Sequence, residues 1–197
     1  MSYRKEKKIR LTIFDYNKLK VLLIKKGFHK LYDKRQINSI YYDTDARDMF
    51  LNSEEGILPR KKMRIRWYNS NNNFTFETKI SSIEGRYKKT KNLNLNSITE
   101  LPKSLEDQLY GFITPSLLVS YERSYFSLNG IRITFDDKIK YRDLRLSSSI
   151  SFYDPERVIE VKANIDTSDD FIEELITYTT SRFSKYSRGL LIANSLL

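Results

Sequence analysis

The feature that most constrains this chain is an alternation of ions and apolar residues at a spacing of two. Arg4, Glu6 and Lys8 share one parity of the first segment, and Lys62, Arg64 and Arg66 alternate with Met63, Ile65 and Trp67. Glu77 and Lys79 fall opposite Phe74 and Phe76, and Tyr121, Arg123 and Tyr125 share a parity. Arg132, Thr134 and Asp136 alternate with Ile131, Ile133 and Phe135, and Glu160 and Lys162 with Ile159 and Val161. Successive side chains on a β-strand point to opposite faces, so each segment predicts a strand with one apolar and one ionic face. Two packings satisfy that pattern. The apolar faces can meet in a sandwich with the ions in water, or the sheet can enclose its ionic faces while helices cover the apolar ones. Enclosure costs several kcal/mol per unpaired ion, so it suits only an interior that holds a polyanion, with a few carboxylates for pairing and metal. The ion set matches: Arg4, Lys8, Arg64, Arg66, Lys79, Arg123, Arg132 and Lys162 stand against Glu6, Glu77, Asp136 and Glu160.

The whole composition points the same way. With 35 Lys and Arg against 25 Asp and Glu, the net charge is +10, which favours an anionic partner. The chain has no cysteine and one histidine, His29, which excludes disulfides, thiolate chemistry, Cys-ligated zinc and catalysis needing two histidines. Its six glycines form no G-x-x-x-x-G-K loop, which argues against a P-loop kinase. Carboxylates suit Mg²⁺ or Mn²⁺, hard ions that also bridge phosphate oxygens. The basic start (Arg4, Lys5, Lys7, Lys8) is followed by no leader-like apolar stretch, and the longest aliphatic run, Val21 to Ile24, is too short to span a bilayer. A cytoplasmic location is the expectation, with no membrane segment of the chain's own.

The periodicity predicts an α+β protein, with residues 1–197 as one domain. A first strand runs from Arg4 to Ile13, and a helix capped by Asp15 continues to Gly27 with Leu19, Leu22 and Leu23 on its apolar face. Strands follow at Gln36 to Tyr42, Lys61 to Tyr68, Phe74 to Ile80 and Tyr87 to Thr90, with a short polar helix over Thr44 to Leu51. Residues Asn69 to Asn73 read as a hairpin loop. Pro102 to Tyr110 reads as a helix that stops at Gly111. Leu117 to Phe126 and Ile131 to Phe135 pair across Asn129-Gly130, and further strands lie near Ile139 to Tyr141 and Arg157 to Ala163. A last helix spans Ser168 to Phe183, followed by a basic tail, Ser184 to Arg188.

On these residues the sequence resembles the triphosphate tunnel metalloenzymes, and within them the VTC domain of polyphosphate polymerases. Tyr3 to Lys8 is similar to the family's R-x-E-x-K strand, Ser39-Ile40-Tyr41-Tyr42-Asp43-Thr44 to its S-x-Y-F-D-T segment, and Lys62 to Tyr68 to K-x-R-x-R-x-Y. Glu77-Thr78-Lys79 resembles E-x-K, Tyr121 to Tyr125 resembles Y-x-R-x-x-Y, and Arg132 to Asp136 resembles R-x-T-x-D. Val158 to Lys162 and Phe183 to Ser187 resemble two closing motifs. The family pattern often places an aromatic after the first-strand lysine, where this chain has Ile9. The resemblance implies an eight-stranded antiparallel β tunnel, a closed barrel with flanking helices. It implies that Lys8, Arg64, Arg66, Lys79, Arg123 and Lys185 grip phosphates as the catalytic set, with Arg4, Tyr121, Arg132, Lys162 and Ser184 also at the phosphate chain. It implies a divalent metal at Glu160, with Glu6 as a second candidate ligand. Lys162 where the triphosphatase and cyclase relatives carry a second glutamate favours the VTC branch.

The expected reaction is transfer of the γ-phosphate of ATP onto a polyphosphate chain, with Mn²⁺ or Mg²⁺. ATP and polyphosphate are the expected partners, and a membrane-protein partner is compatible with the resemblance. Transfer to water in the same site would make a triphosphatase. A non-catalytic polyanion- or RNA-binding module is the reading from another class. RNA readers pair basic residues with aromatics on one exposed face, whereas Trp67, Phe74 and Phe76 fall opposite the charges, so no nucleic acid is expected.

Overall fold

The computed structural model describes residues 4–69, 71, 73–146 and 150–194. Tyr3 of the first motif, and Ser70 and Asn72 of the expected hairpin loop, lie outside the described residues.

The alternating segments do form antiparallel strands. The first six are β1 (Arg4–Leu11), β2 (His29–Asp43), β3 (Arg60–Tyr68), β4 (Phe74–Ser82), β5 (Gly85–Leu93) and the short β6 (Leu105–Asp107). They are followed by β7 (Gly111–Leu128), β8 (Ile131–Asp143), the short β9 (Phe152–Tyr153) and β10 (Arg157–Asn164). The strands hydrogen-bond in the order β1-β10-β8-β7-β2-β3-β4-β5, with β6 beside β7 and β9 beside β8. The expected closed barrel is corrected here. Among the described residues β1 and β5 are the two ends of the strand path and do not pair with each other, so the sheet is open. Alternation specifies which face each side chain takes; it carries no information about whether the end strands meet.

Four helices accompany the sheet: α1 (Ile13–Lys25), α2 (Asp48–Glu55), α3 (Asp169–Leu175) and α4 (Lys185–Ala193). Thr12, not Asp15, caps α1, its hydroxyl accepting the Asp15 N–H at 3.1 Å. Leu22 lies outside the core at 42% exposure, leaving Tyr16, Leu19 and Leu23 as the buried face of α1. The helix expected over Pro102 to Tyr110 is absent. Asp107 Oδ1 accepts the N–H groups of Leu109 and Tyr110 at 3.0 and 3.2 Å, and this side-chain turn reverses β6 into β7. The expected long last helix is also corrected: α3 ends at Leu175, before Thr177, Thr179 and Thr180, whose branched side chains disfavour helix. The extended residues beyond it are tied to β1 by the Ser181 N–H, which donates to the Lys8 carbonyl at 2.8 Å. The expected basic tail, Ser184 to Arg188, is instead the cap and first turn of α4.

The backbone divides into two compact units interleaved along the chain. One comprises residues 1–35, 121–139 and 154–183, the other residues 36–120, 140–153 and 184–197. In the first, α1 and α3 cover the apolar face of β1, β10 and β8, burying Ile9, Leu11, Tyr16, Leu19, Leu23, Ile133, Phe135, Ile159 and Ile172. In the second, Met49 of α2 and the segment from Leu93 to Ile113 pack against Ile40, Tyr42, Met63, Ile65, Trp67 and Phe74. In each unit, therefore, cover lies on the apolar faces and the other faces carry the ions.

Candidate functional site: two ionic strand faces

The ionic face of the first unit is set by register. Glu6 pairs with Lys162, and Lys8 with Glu160, between β1 and β10. Lys162 pairs with Arg132, and Glu160 with Thr134, between β10 and β8. From β7, the Arg123 guanidinium forks onto Asp136, at 2.5 Å from Nε to Oδ1 and 2.7 Å from Nη2 to Oδ2. Its Nη2 also lies 3.5 Å from Glu160 Oε2, and the group sits 5.3 Å from the ring centre of buried Tyr121. Lys162 Nζ is 2.7 Å from Glu160 and 3.7 Å from Glu6, so one ammonium joins the two carboxylates. Lys8 Nζ lies 3.5 Å from Glu6 and donates to the Phe183 carbonyl at 3.0 Å. Burial pushes the Glu160 carboxyl up, but Arg123, Lys162 and Lys8 outweigh it and hold it well below the usual carboxylate range. Arg4 heads β1 opposite Asn164.

The second unit gathers its cations around Glu77, a buried carboxylate on β4. Arg64 Nε donates to Glu77 Oε2 at 2.7 Å, and Lys88 Nζ to Oε1 at 2.7 Å. Arg66 Nη1 is 3.7 Å away and its Nε donates to Ser39 at 3.3 Å. Burial raises the Glu77 carboxyl, yet Arg64, Arg66 and Lys88 bring it down to about 2. Arg64 Nη1 donates to the Tyr41 hydroxyl at 2.8 Å. Burial raises that phenol too, but Arg64, Arg66 and Lys185 hold it below its ordinary value. Lys62, Lys79 and Lys88 stand directly opposite one another on β3, β4 and β5. Lys62 Nζ donates to Ser184 Oγ at 2.8 Å, and Ser184 also caps α4.

The three arginines are largely withdrawn from water, with side-chain exposure of 12% for Arg64, 10% for Arg66 and 14% for Arg123, whereas Lys79 and Lys88 are exposed. Of the residues singled out from the sequence, Glu6, Lys8, Tyr121, Arg123, Arg132, Glu160 and Lys162 therefore belong to the face in the first unit. Arg64, Arg66, Lys79, Ser184 and Lys185 belong to the second.

The sequence reading assigns no role to several participants. Ser39 and Tyr41 fall in the S-x-Y-F-D-T match, but their neutral side chains do not mark them as members of an ionic face at their i, i+2 spacing. Asp43 belongs to the same S-x-Y-F-D-T match, which assigns it no role. It is fully buried and accepts N–H groups of Thr44, Met49 and Phe50 at the start of α2, together with the Tyr186 hydroxyl at 2.5 Å. Burial raises both the Asp43 carboxyl and the Tyr186 phenol. Tyr186 in turn stacks on Tyr41, with ring centres 4.9 Å apart and 16° between planes. This chain of contacts locates the first turn of α4, with Lys185, beside Tyr41 and Arg64. Gly189 completes the seat: a Cβ there would come within 2.7 Å of Leu117 Cδ2 and closer still to the Tyr141 ring.

The family model of the VTC domain matches residues 3–194. The chain belongs to the VTC domain family. The VTC resemblance read from the motifs is thereby established. No curated protein matches the chain. Among solved structures it is similar to a candidate adenylate cyclase from Bacillus halodurans, at 16% identity and TM-score 0.58, covering 93% of this chain and 94% of that one. It is also similar to the PH1819 protein from Pyrococcus horikoshii, at 18% identity and TM-score 0.56, covering 96% and 99%. A third is a candidate adenylyl cyclase from Hippeastrum, reported to have a dominant triphosphatase activity, at 14% identity and TM-score 0.52, covering 98% and 96%. At these identities the likeness establishes the fold.

The donor chemistry fits a hard divalent ion. Among the described residues no three His, Cys, Asp or Glu side chains cluster as a metal cage. Glu6 and Glu160 nevertheless converge on one cation already, the ammonium of Lys162. Mg²⁺-like ions are commonly held by one or two carboxylates with substrate phosphates completing the shell.

Proposed function

We propose that this VTC domain is a metal-dependent enzyme of triphosphate and polyphosphate chains, and that it transfers the γ-phosphate of ATP onto polyphosphate. The observation that carries this reading is the ionic strand face in each unit. Arginines and lysines there outnumber the acids that pair them, and Lys62, Lys79 and Lys88 face one another across three strands. Like charges directly opposite destabilise a sheet, so the row suits an anionic occupant. Linear phosphate offers repeated oxygens to such a surface, and the planar Arg fork meets two of them at once.

In this reading Arg64, Arg66, Lys79 and Lys185, with Ser184, take phosphate groups in the second unit, and Lys8, Arg123, Arg132 and Lys162, with Tyr121 and Arg4, take them in the first. Glu160 and Glu6 would hold Mg²⁺ or Mn²⁺, which would supply charge neutralisation for the phosphates. The transferred phosphoryl group loses its bond to the β-phosphate oxygen and gains one to the terminal oxygen of the acceptor, releasing ADP. Such transfer needs positioning and charge neutralisation far more than covalent help. Glu77 and Asp136 orient Arg64 and Arg123, so those guanidiniums need little reorganisation before they meet a phosphate.

The triphosphatase reading, with water as acceptor, draws on the activity reported for the Hippeastrum relative. RNA binding is disfavoured, because Trp67 and Phe74 are buried in the apolar core and offer no stacking surface. Purified protein with ATP and Mn²⁺, its products resolved on a gel, separates the readings. A phosphate ladder supports the polymerase, orthophosphate alone the triphosphatase, and an inert mixture overturns the enzyme assignment. Glu160→Ala is expected to abolish whichever activity appears.

A further inference from the structure

Helix α1 buries one apolar stripe in the core and exposes a second one, which the exposed Asn17 interrupts near its middle. Tyr16, Leu19 and Leu23 face inward. On the other side Ile13, Phe14, Val21 and Ile24 are 55, 72, 54 and 50% exposed. At about 100° per residue these four fall within an arc of about 100°. Lysines border that arc on both sides: Lys20 on one flank, Lys18 and Lys25 on the other, with Lys18 and Lys25 exposed. The one acid of the helix, Asp15, is occupied by the hydroxyls of Thr12 and Tyr178 at 2.8 and 3.2 Å.

We propose that this outer face of α1 docks on an anionic lipid surface. An apolar stripe edged by lysines is the pattern of a helix lying in the plane of a membrane interface, apolar residues toward the acyl chains and ammonium groups at the headgroup phosphates. Its flanking charge is complementary to acidic lipid, each lysine near such a surface adding attraction that salt screens. The same lysines disfavour a second copy of this chain as the occupant, because a two-fold contact along the stripe would bring lysine edges of the two copies together. The proposal is independent of the reaction the ionic faces perform.

The test is co-sedimentation of the full chain with vesicles of phosphatidylcholine alone and of phosphatidylcholine mixed with phosphatidylglycerol. The expected result is retention by the acidic vesicles, falling with salt, and little by the neutral ones. Phe14→Ser/Val21→Ser alters only exposed positions and is expected to keep its thermal midpoint and its phosphate chemistry in solution while losing at least about tenfold in vesicle partitioning. Lys18→Gln/Lys25→Gln is expected to lose about tenfold as well, whereas the charge-matched Lys89→Gln/Lys91→Gln loses less than about threefold. Equal losses from the two lysine pairs, unchanged partitioning of the Phe14/Val21 variant, or no retention by acidic vesicles overturns the proposal. So does a dimer in solution that Phe14→Ser/Val21→Ser converts to monomer.

Discussion

Arg64 shows how a single side chain depends on its neighbours for its chemistry. Glu77 takes its Nε at 2.7 Å and Tyr41 its Nη1 at 2.8 Å, so the guanidinium is oriented before any ligand arrives. Arg64→Ala removes a preorganised charge and is expected to lower turnover of triphosphate about 100-fold or more, read as kcat/KM. Glu77 makes the site acid-sensitive in a defined window. Its folded value of about 2 lies below the ordinary 4.5, so its stabilisation is fully present above 4.5 and is lost as pH falls toward about 2. Urea midpoints measured across that range are expected to decline for the parent protein. The decline should be shallower for Glu77→Gln, which starts less stable because Arg64, Arg66 and Lys88 lose their shared counter-ion.

Among the elements, α4 is the one whose placement matters most and whose sequence announces it least. A glycine in its middle and a basic start read as a tail, yet Ser184 caps it and Tyr186 anchors it to Asp43. Gly189 is where the helix comes closest to Leu117 and Tyr141. Gly189→Ala should gain helix propensity but force those side chains apart, with a net loss of about 1–3 kcal/mol. The same misplacement should weaken phosphate binding through Ser184 and Lys185, and calorimetric unfolding together with substrate KM checks both. Tyr186→Phe deletes one hydroxyl from a buried carboxylate and is expected to cost about 1–3 kcal/mol, visible as a lower midpoint of thermal unfolding. Other elements were readable from local chemistry. The Asn129-Gly130 turn has positive φ at both residues, 48° and 79°, as its sequence predicts for a tight hairpin. The segment before Gly111 misled because Asp107 competes for the backbone donors that a helix would have used.

At the scale of the molecule, a +10 chain that withdraws Arg64, Arg66 and Arg123 from water should bind its substrate with marked sensitivity to ionic strength. Raising salt is expected to increase KM for ATP or polyphosphate several-fold with less change in kcat, and steady-state kinetics across a salt series checks it. No helix among the described residues is long and apolar enough to cross a membrane. The alternation of ions and apolar residues was enough, by itself, to identify the strands that carry the ionic faces, assign their side chains to a face and point to the VTC motifs, because strand geometry makes parity a local property; the short β6 and β9 carry no such alternation. The tertiary structure alone decided what covers each apolar face, that β1 and β5 remain unpaired ends, and that Asp43 reaches across 143 positions to Tyr186. Those outcomes depend on contacts between residues far apart in the chain, and no local period of two or 3.6 encodes them.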